Sequence, residues 1–389
     1  MAASLLAEEP VVLHNVPCLH DIFSMDKVLA SMGVQIDFTG RSMTLDAAQV
    51  SEPVAHYDLV RRMRASFFVL GPLLARHGRA RVSLPGGCAI GARPVDIHLK
   101  GLEALGAKIE IEDGYVIAEG ALQGANYALD YASVGATENL MMAAALAKGV
   151  TRLSNVAREP EIQDLAHLLN AMGAQISGAG TDLITVVGVD SLGGAEHVVM
   201  ADRIEAGTFL VAGVATGGDV TVVGANADHL PVFLEKLREA GAEITVHGTK
   251  IRAAATNGIK GIDVTTRPFP GYATDLQAQM MTMLTRAEGV STIKETVFEN
   301  RFMQAAELVR MGADIDLEGN TAIVRGVKEL SGAPVMASDL RASASLCIAG
   351  LMAARGETMI SRVYHIDRGY ERIEERLAAL GGDVERIRE

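Results

Sequence analysis

A chain of 389 residues with 48 acidic against 35 basic side chains carries a net charge of −13, and so lacks the basic face that nucleic acid or an anionic membrane surface requires. Half of it is apolar, yet aromatic residues make up only 4% and Trp is absent; the core must come from Ala, Leu, Val, Ile and Met, and the length predicts two domains rather than one. Cys18, Cys88 and Cys347 are odd in number and have no metal-ligand spacing, which points to neither a disulfide framework nor a zinc site, and no apolar run reaches the roughly 18 residues of a membrane span.

The first stretch, MAASLLAEE, is apolar and small but has no basic flank, so it reads as part of a buried helix and not as a signal peptide; the cytoplasm is the expected location. A helix pattern then closes at Gly33 and passes into the alternating run of LASMGVQIDF. The same passage recurs at Gly106 (LEALGAKIEIE), Gly173 (LNAMGAQISG), Gly241 (LREAGAEITV), Gly312 (LVRMGADIDL) and Gly381 (LAALGGDVERI), about every 70 residues. Glycine just past a helix is a left-handed cap, and the alternation after it is a half-buried strand. From the second unit onward a further helix comes first, apolar on nearly every side: RASFFVLGPLLARHG, ATENLMMAAALAKG, EAGTFLVAGVATGG, LQAQMMTMLTRAEG and RASASLCIAGLMAARG. That pattern predicts burial. A short strand follows each (ARVSL, VTRLSNV, DVTVVG, VSTIKET, ETMISRV).

Each unit thus reads helix–strand–helix–strand–strand, and three units make a domain: 1–200 and 201–389, divided before ADRIEAG. The first unit enters its buried helix partway along, and the last has only GDVERIRE after Gly381 where others have two strands. The expectation is a truncated first repeat, with roughly 25–30 residues upstream supplying both the helix start and the absent strand.

RVSLPGGCAIGARP sets Cys88 among glycines and prolines that disfavour a regular element. This loop is either a plain turn or a lid carrying a reactive thiol, whose pKa Arg93 would lower at close range. Cys18 and Cys347 read as small buried hydrophobes, and His98, in a helix pattern, as a structural histidine. Arg93, Arg301, Arg341 and Arg368 stand at junctions leading into helices, where a guanidinium pairs with carboxylate or phosphate and a helix N-terminus favours an anion. Asp58, Asp202, Asp275 and Asp339 stand near starts of buried helices; capping accounts for each, and pattern alone does not choose one as a base.

The strings SLPGGCAIGARPVD, SVGAT, AREPEI, DRIEAGTFL, TDLQAQ, TVFENRFM, DLRASASL and YHIDRGYERIEERL, spread over essentially the whole chain, resemble the UDP-N-acetylglucosamine 1-carboxyvinyltransferase family. The resemblance implies an α/β fold, a two-domain inside-out α/β barrel of six helix–strand repeats. It implies transfer of the enolpyruvyl group of phosphoenolpyruvate to the 3′-hydroxyl of UDP-N-acetylglucosamine, an early step of peptidoglycan synthesis, with no cofactor and no metal. By motif, Cys88 would be the proton donor and the target of fosfomycin, and Asp275 the residue near the hydroxyl. Arg93 and Arg368 would lie near the phosphate, Arg301 and Arg341 near the carboxylate. Arg64, Arg93, Pro94, Val95, Asp96, Ile97, Tyr131, Ala132, Ser133, Val134 and Val297 match the UDP-sugar contacts, with Tyr131 replacing the basic residue of some members. Glu159 matches a supporting, conformational position. The family's early GAKNA-type motif, with its Lys and Asn, has no counterpart here, which brings in a weakly active UDP-sugar-binding relative as an alternative. A second alternative is 3-phosphoshikimate 1-carboxyvinyltransferase, a transferase of the same fold.

Overall fold

The six marker glycines all stand just past a helix, five of them where it gives way to a strand, with φ between +95° and +107°. A side chain disfavours that region, so glycine ends the helix and turns the chain into its next strand. This geometry comes from a computed structural model, which describes residues 1–61, 63–85, 95–256 and 258–387. The chain folds into two units, the first giving way to the second between Met200 and Ala201.

In the first unit three four-stranded sheets share one topology. Val11–His14, Arg79–Ser83 and Val150–Ser154 each pair in parallel with a short edge strand: Ala195–Val198, Val54–Ala55 and Asn126–Ala128, respectively. On its other side each meets the return strand of an antiparallel hairpin, Gln35–Asp46, Lys108–Glu119 or Gln175–Val187 by residue span. The edge strand of the first sheet is thus supplied by the end of the third repeat. The strands alternate as a sheet with one wet face must: in Arg79–Ser83 the side chains of Ala80 and Val82 are buried and those of Arg79 and Arg81 exposed.

Helices apolar on all sides fill the middle. Leu70–His77 and Val134–Ala144 pack together, with the wholly buried 3₁₀ helix Ala2–Leu6 against the former. Gly71 permits this approach, because a Cβ there would lie 2.3 Å from Asn139 Oδ1. Here the first turns of RASFFVLGPLLARHG form a 3₁₀ helix, Arg64–Val69, and the α-helix begins only at Leu70.

The second unit repeats the plan. Arg203–Ala215, Gln277–Leu284 and Leu340–Met352 pack against one another, and every residue of Gln277–Leu284 is buried. Burying Met280, Met281, Met283 and Leu284 contributes about 1.5–3 kcal/mol each before entropy is counted. Val290–Lys294 is flanked by parallel Val264–Thr265 and antiparallel Thr321–Arg325, which pairs on with Asp314–Glu318. Asp219–Val223 belongs to a three-stranded sheet with Lys250–Ala254 and Glu243–His247.

Three expectations are corrected. The strand-like run after Gly381 is not a strand over residues 382–387; in the other five repeats that run is held by a returning hairpin partner, and among the described residues this one has none. The helical stretch RASASLCIAGLMAARG ends at Met352, because Ala353–Arg355 pairs with Leu330–Ser331. Cys18 is exposed rather than buried, since it sits in the loop between Val11–His14 and the helix His20–Ser31.

Candidate active site

The four candidate aspartates separate once their partners are known. Asp202 and Asp339 are N-caps: Asp202 Oδ1 accepts from the N–H groups of Ile204 and Glu205 at 2.7 and 3.0 Å, and Asp339 Oδ1 from those of Arg341 and Ala342 at 2.9 and 3.0 Å. Among the described residues Asp58 reaches Arg61 alone, 3.4 Å away on its own turn. Asp275 caps nothing. It lies on the 3₁₀ turn Thr274–Leu276 that leads into Gln277–Leu284, and its carboxylate is taken up by two arginines, one from later in its own repeat and one from the next. Arg301 Nη2 donates to Asp275 Oδ1, and Arg341 Nη2 stands 3.6 Å from Oδ2.

Both guanidiniums are held from behind by hydroxyls. Arg301 Nη1 donates to Thr274 Oγ1 at 3.1 Å, and Arg341 Nη1 to Tyr370 Oη at 3.2 Å. Thr208 Oγ1 donates to the Ile204 carbonyl, so at 2.9 Å it accepts the Tyr370 proton. Gln279 Nε2 adds bonds to Thr208 Oγ1 and to the Asp275 carbonyl, both at 3.0 Å. Burial opposes ionisation of Asp275, but Arg301 first and then Arg341 outweigh it and hold the carboxyl well below the usual carboxylate range. Burial likewise opposes the charge of Arg341, and Tyr370, Asp275 and Asp202 more than restore it. Burial keeps Tyr370 a neutral phenol.

The N-terminal ends of three central helices therefore meet around one carboxylate and its guanidiniums, with Arg203 adding a further positive field. Such a group binds a multiply charged anion: helix N-termini and arginines attract it, and the carboxylate stands ready to take a proton. Among the described residues no group of three or more His, Cys, Asp or Glu is disposed to hold a metal ion.

A second set of candidates collects in the first unit. Lys100 ties Asp130 (2.8 Å) to Asp96 (3.6 Å), bringing Tyr131–Val134 beside the start of the helix Asp96–Ala104. Ile97 is buried there, and Ser133 Oγ caps Val134–Ala144 by accepting from Ala136 N–H at 3.3 Å. Tyr131 is exposed. Asn139 Oδ1 accepts from Gly71 N–H at 2.8 Å, so Asn139 Nδ2 is left to donate to His98 Nδ1 at 3.1 Å. Burial, reinforced by Arg64, pushes His98 down to about 4, a neutral ring fixed between Phe67 and Phe68. Glu159 precedes the helix Pro160–Ala171, accepts from Arg158 N–H at 3.0 Å, and adds, after burial and Glu161, to the upward shift of the Glu138 carboxyl.

The similarity to known proteins extends over the whole chain. A family model described as EPSP synthase (3-phosphoshikimate 1-carboxyvinyltransferase) matches residues 1–377. The enolpyruvyl transferase NikO of Streptomyces tendae superposes with a TM-score of 0.88 at 25% identity, over 99% of this chain and 92% of that one. An EPSP synthase from Acinetobacter baumannii gives 0.74 at 21% identity, over 98% and 93%, which shows the shared fold. Proteins named UDP-N-acetylglucosamine 1-carboxyvinyltransferase from Dinoroseobacter shibae and Geobacter metallireducens are each 56% identical, over 100% of this chain and 93% of their own. The chain belongs to the UDP-N-acetylglucosamine 1-carboxyvinyltransferase family.

Of the residues that the family motifs single out, the structure brings together Asp275, Arg301 and Arg341 in one unit. It sets Asp96, Ile97 and Tyr131–Val134 side by side in the other, with Arg64 close enough to His98 to depress its ring. Arg368 ends the 3₁₀ helix Val363–Arg368, two residues before Tyr370. Val95 precedes the helix Asp96–Ala104. Cys88, Arg93 and Pro94 lie outside the described residues. Four partners escaped sequence reading: Thr208, Thr274, Tyr370 and Glu295. The last had a signal. Alternation along Val290–Lys294 buries Ser291 and Ile293, and the next inward position is a glutamate, which is 1% exposed.

Proposed function

We propose that this chain transfers the enolpyruvyl group of phosphoenolpyruvate to the 3′-hydroxyl of UDP-N-acetylglucosamine and releases phosphate, an early step in building peptidoglycan. Family membership over the whole chain supports the reaction. The observation that carries it is the carboxylate of Asp275 between Arg301 and Arg341. Such chemistry needs a base at the hydroxyl, an acid at the methylene carbon and a cationic cradle.

In this reading Asp275 takes the hydroxyl proton as the oxygen bonds to C2 of phosphoenolpyruvate, while the Cys88 thiol gives a proton to C3. The tetrahedral adduct then loses a proton from C3 as the C2–O–phosphate bond breaks, restoring the double bond. Arg301 and Arg341 bind the substrate carboxylate, Arg93 and Arg368 the phosphate. Arg64, Arg93 to Ile97, Tyr131 to Val134 and Val297 hold the UDP-sugar, and Glu159 supports them. A substrate anion that draws the two arginines toward itself also relieves Asp275 of its strongest partners, raising its basicity when the proton must move.

The description of the matching family model favours one other acceptor, shikimate 3-phosphate. Phosphate release from phosphoenolpyruvate, measured with each acceptor in turn, tests the choice. Turnover with UDP-N-acetylglucosamine, lost in Cys88→Ser and blocked by fosfomycin, is the expected result. Turnover with shikimate 3-phosphate alone, or binding of UDP-N-acetylglucosamine with no phosphate released, would reject the proposal.

A further inference from the structure

Glu295 is a buried carboxylate that, among the described residues, faces donors alone. Its Oε1 accepts from Thr266 Oγ1 at 2.7 Å and from the N–H groups of Val297 and Phe298 at 2.8 and 3.1 Å, and its Oε2 from Thr274 Oγ1 at 2.8 Å. Comparison of the repeats shows what is unusual about it. In the first and third repeats the residue just past the central strand is a left-handed asparagine whose amide reaches the residue just past the parallel edge strand. Asn15 Nδ2 donates to the Val199 carbonyl at 3.0 Å, and Asn155 Nδ2 to the Leu129 carbonyl at 2.7 Å. Glu295 meets the corresponding residue, Thr266 after Val264–Thr265, in the opposite sense, accepting from its hydroxyl, while the Thr266 carbonyl takes the Thr296 hydroxyl. A neutral side chain suffices at that position in the first and third repeats. Here a charge is buried, and its second oxygen goes to Thr274.

The Thr274 hydroxyl has one proton. Given to Glu295, it leaves lone pairs to accept from Arg301 Nη1, whose other arm, Nη2, holds Asp275. We propose that Glu295 is a positioning residue: it fixes the Thr274 hydroxyl as an acceptor, orients Arg301 against Asp275, and ties that turn to the Val297 backbone. The inference deepens the functional reading above, which assigns Asp275 to the acceptor hydroxyl and Val297 to the UDP-sugar. An amide at 295 presents an N–H₂ to a site of donors, so the Thr274 hydroxyl or the Val297 loop must turn away.

The test is a cycle of variants measured for kcat, with folding followed by thermal melting. Glu295→Gln and Thr274→Val are each expected to lower kcat about 10- to 100-fold, as a misplacement near 1 Å does. The double variant should lose no more than the worse single one, and Thr274→Ser, which keeps the hydroxyl, should recover most of the rate. Additive losses, a Glu295→Gln protein within twofold of the parent, or a Thr274→Ser protein as slow as Thr274→Val would each overturn the proposal. If Glu295→Gln does not fold, the Thr274 pair decides. If the parent itself makes no enolpyruvyl product, the functional reading fails and a crystal structure of Glu295→Gln decides the positioning role. An Asp275–Arg301 pair displaced there upholds it, and an unmoved pair overturns it.

Discussion

A carboxylate pinned by two guanidiniums is a poor base until something competes for them, and Asp275 is in that state. Its replacement by Asn should leave the nucleotide-sugar bound while lowering kcat by about 10²-fold or more, the usual scale of a lost general base. Stability carries a second signature. The folded pKa of Asp275 is depressed below an unfolded value of about 3.9, so its stabilising contribution is fully present above that pH and disappears as pH falls through the folded value. The melting deficit of Asp275→Asn should therefore be constant near neutrality and shrink below about pH 4. A deficit that grows on acidification, measured by calorimetry, would contradict the pairing. Sequence reasoning carried this site only part of the way. Four aspartates share one pattern position, and their separation into caps and an arginine-held carboxylate depends on residues 26 and 66 positions away in the chain, Arg301 and Arg341. Tyr370 and Thr208, 162 residues apart, show no mutual signal at all.

The elements were more legible than the site, because they are set by short-range rules. Glycine past a helix, alternation in a strand and a helix apolar on all sides were each readable within some ten residues, and six repetitions reinforced them. The errors arose where a tertiary partner decided the outcome: a strand needs a neighbour, which residues 382–387 lack among the described residues and Ala353–Arg355 finds in Leu330–Ser331. Gly312 isolates the local rule. It has φ +97° and nothing within 4 Å of where a Cβ would be, so Gly312→Ala introduces backbone strain without a clash. The expected cost is about 1 kcal/mol, a fall in Tm of roughly 2–4 °C for a unit of this size. No change in Tm would mean that the turn relaxes freely and that the helix caps do not hold the repeat.

Each unit closes its own core. Among the described residues one apolar cluster runs from Ala2 to Leu192 and the other from Ile204 to Leu377, and the two share no residue. Two cores of this kind predict two unfolding steps, and each can be marked by a substitution that acts in one unit alone. Gly312→Ala marks the second unit. Glu138→Gln marks the first: burial, with Glu161 and Glu159 adding repulsion, pushes the Glu138 carboxyl up to about 8. A folded pKa above the unfolded one means that the protonated form is favoured in the native state. Stability is therefore highest below about pH 4.3 and declines as pH rises toward 8. Glutamine removes that decline, so Glu138→Gln should raise the melting of the first unit by a few degrees at pH 8 and hardly at all at pH 4.5. Scanning calorimetry at pH 8 should accordingly show one transition moved upward by Glu138→Gln and another moved downward by Gly312→Ala. One transition that responds to both, with equal calorimetric and van't Hoff enthalpies, would show that the units unfold as a single cooperative body despite their separate cores.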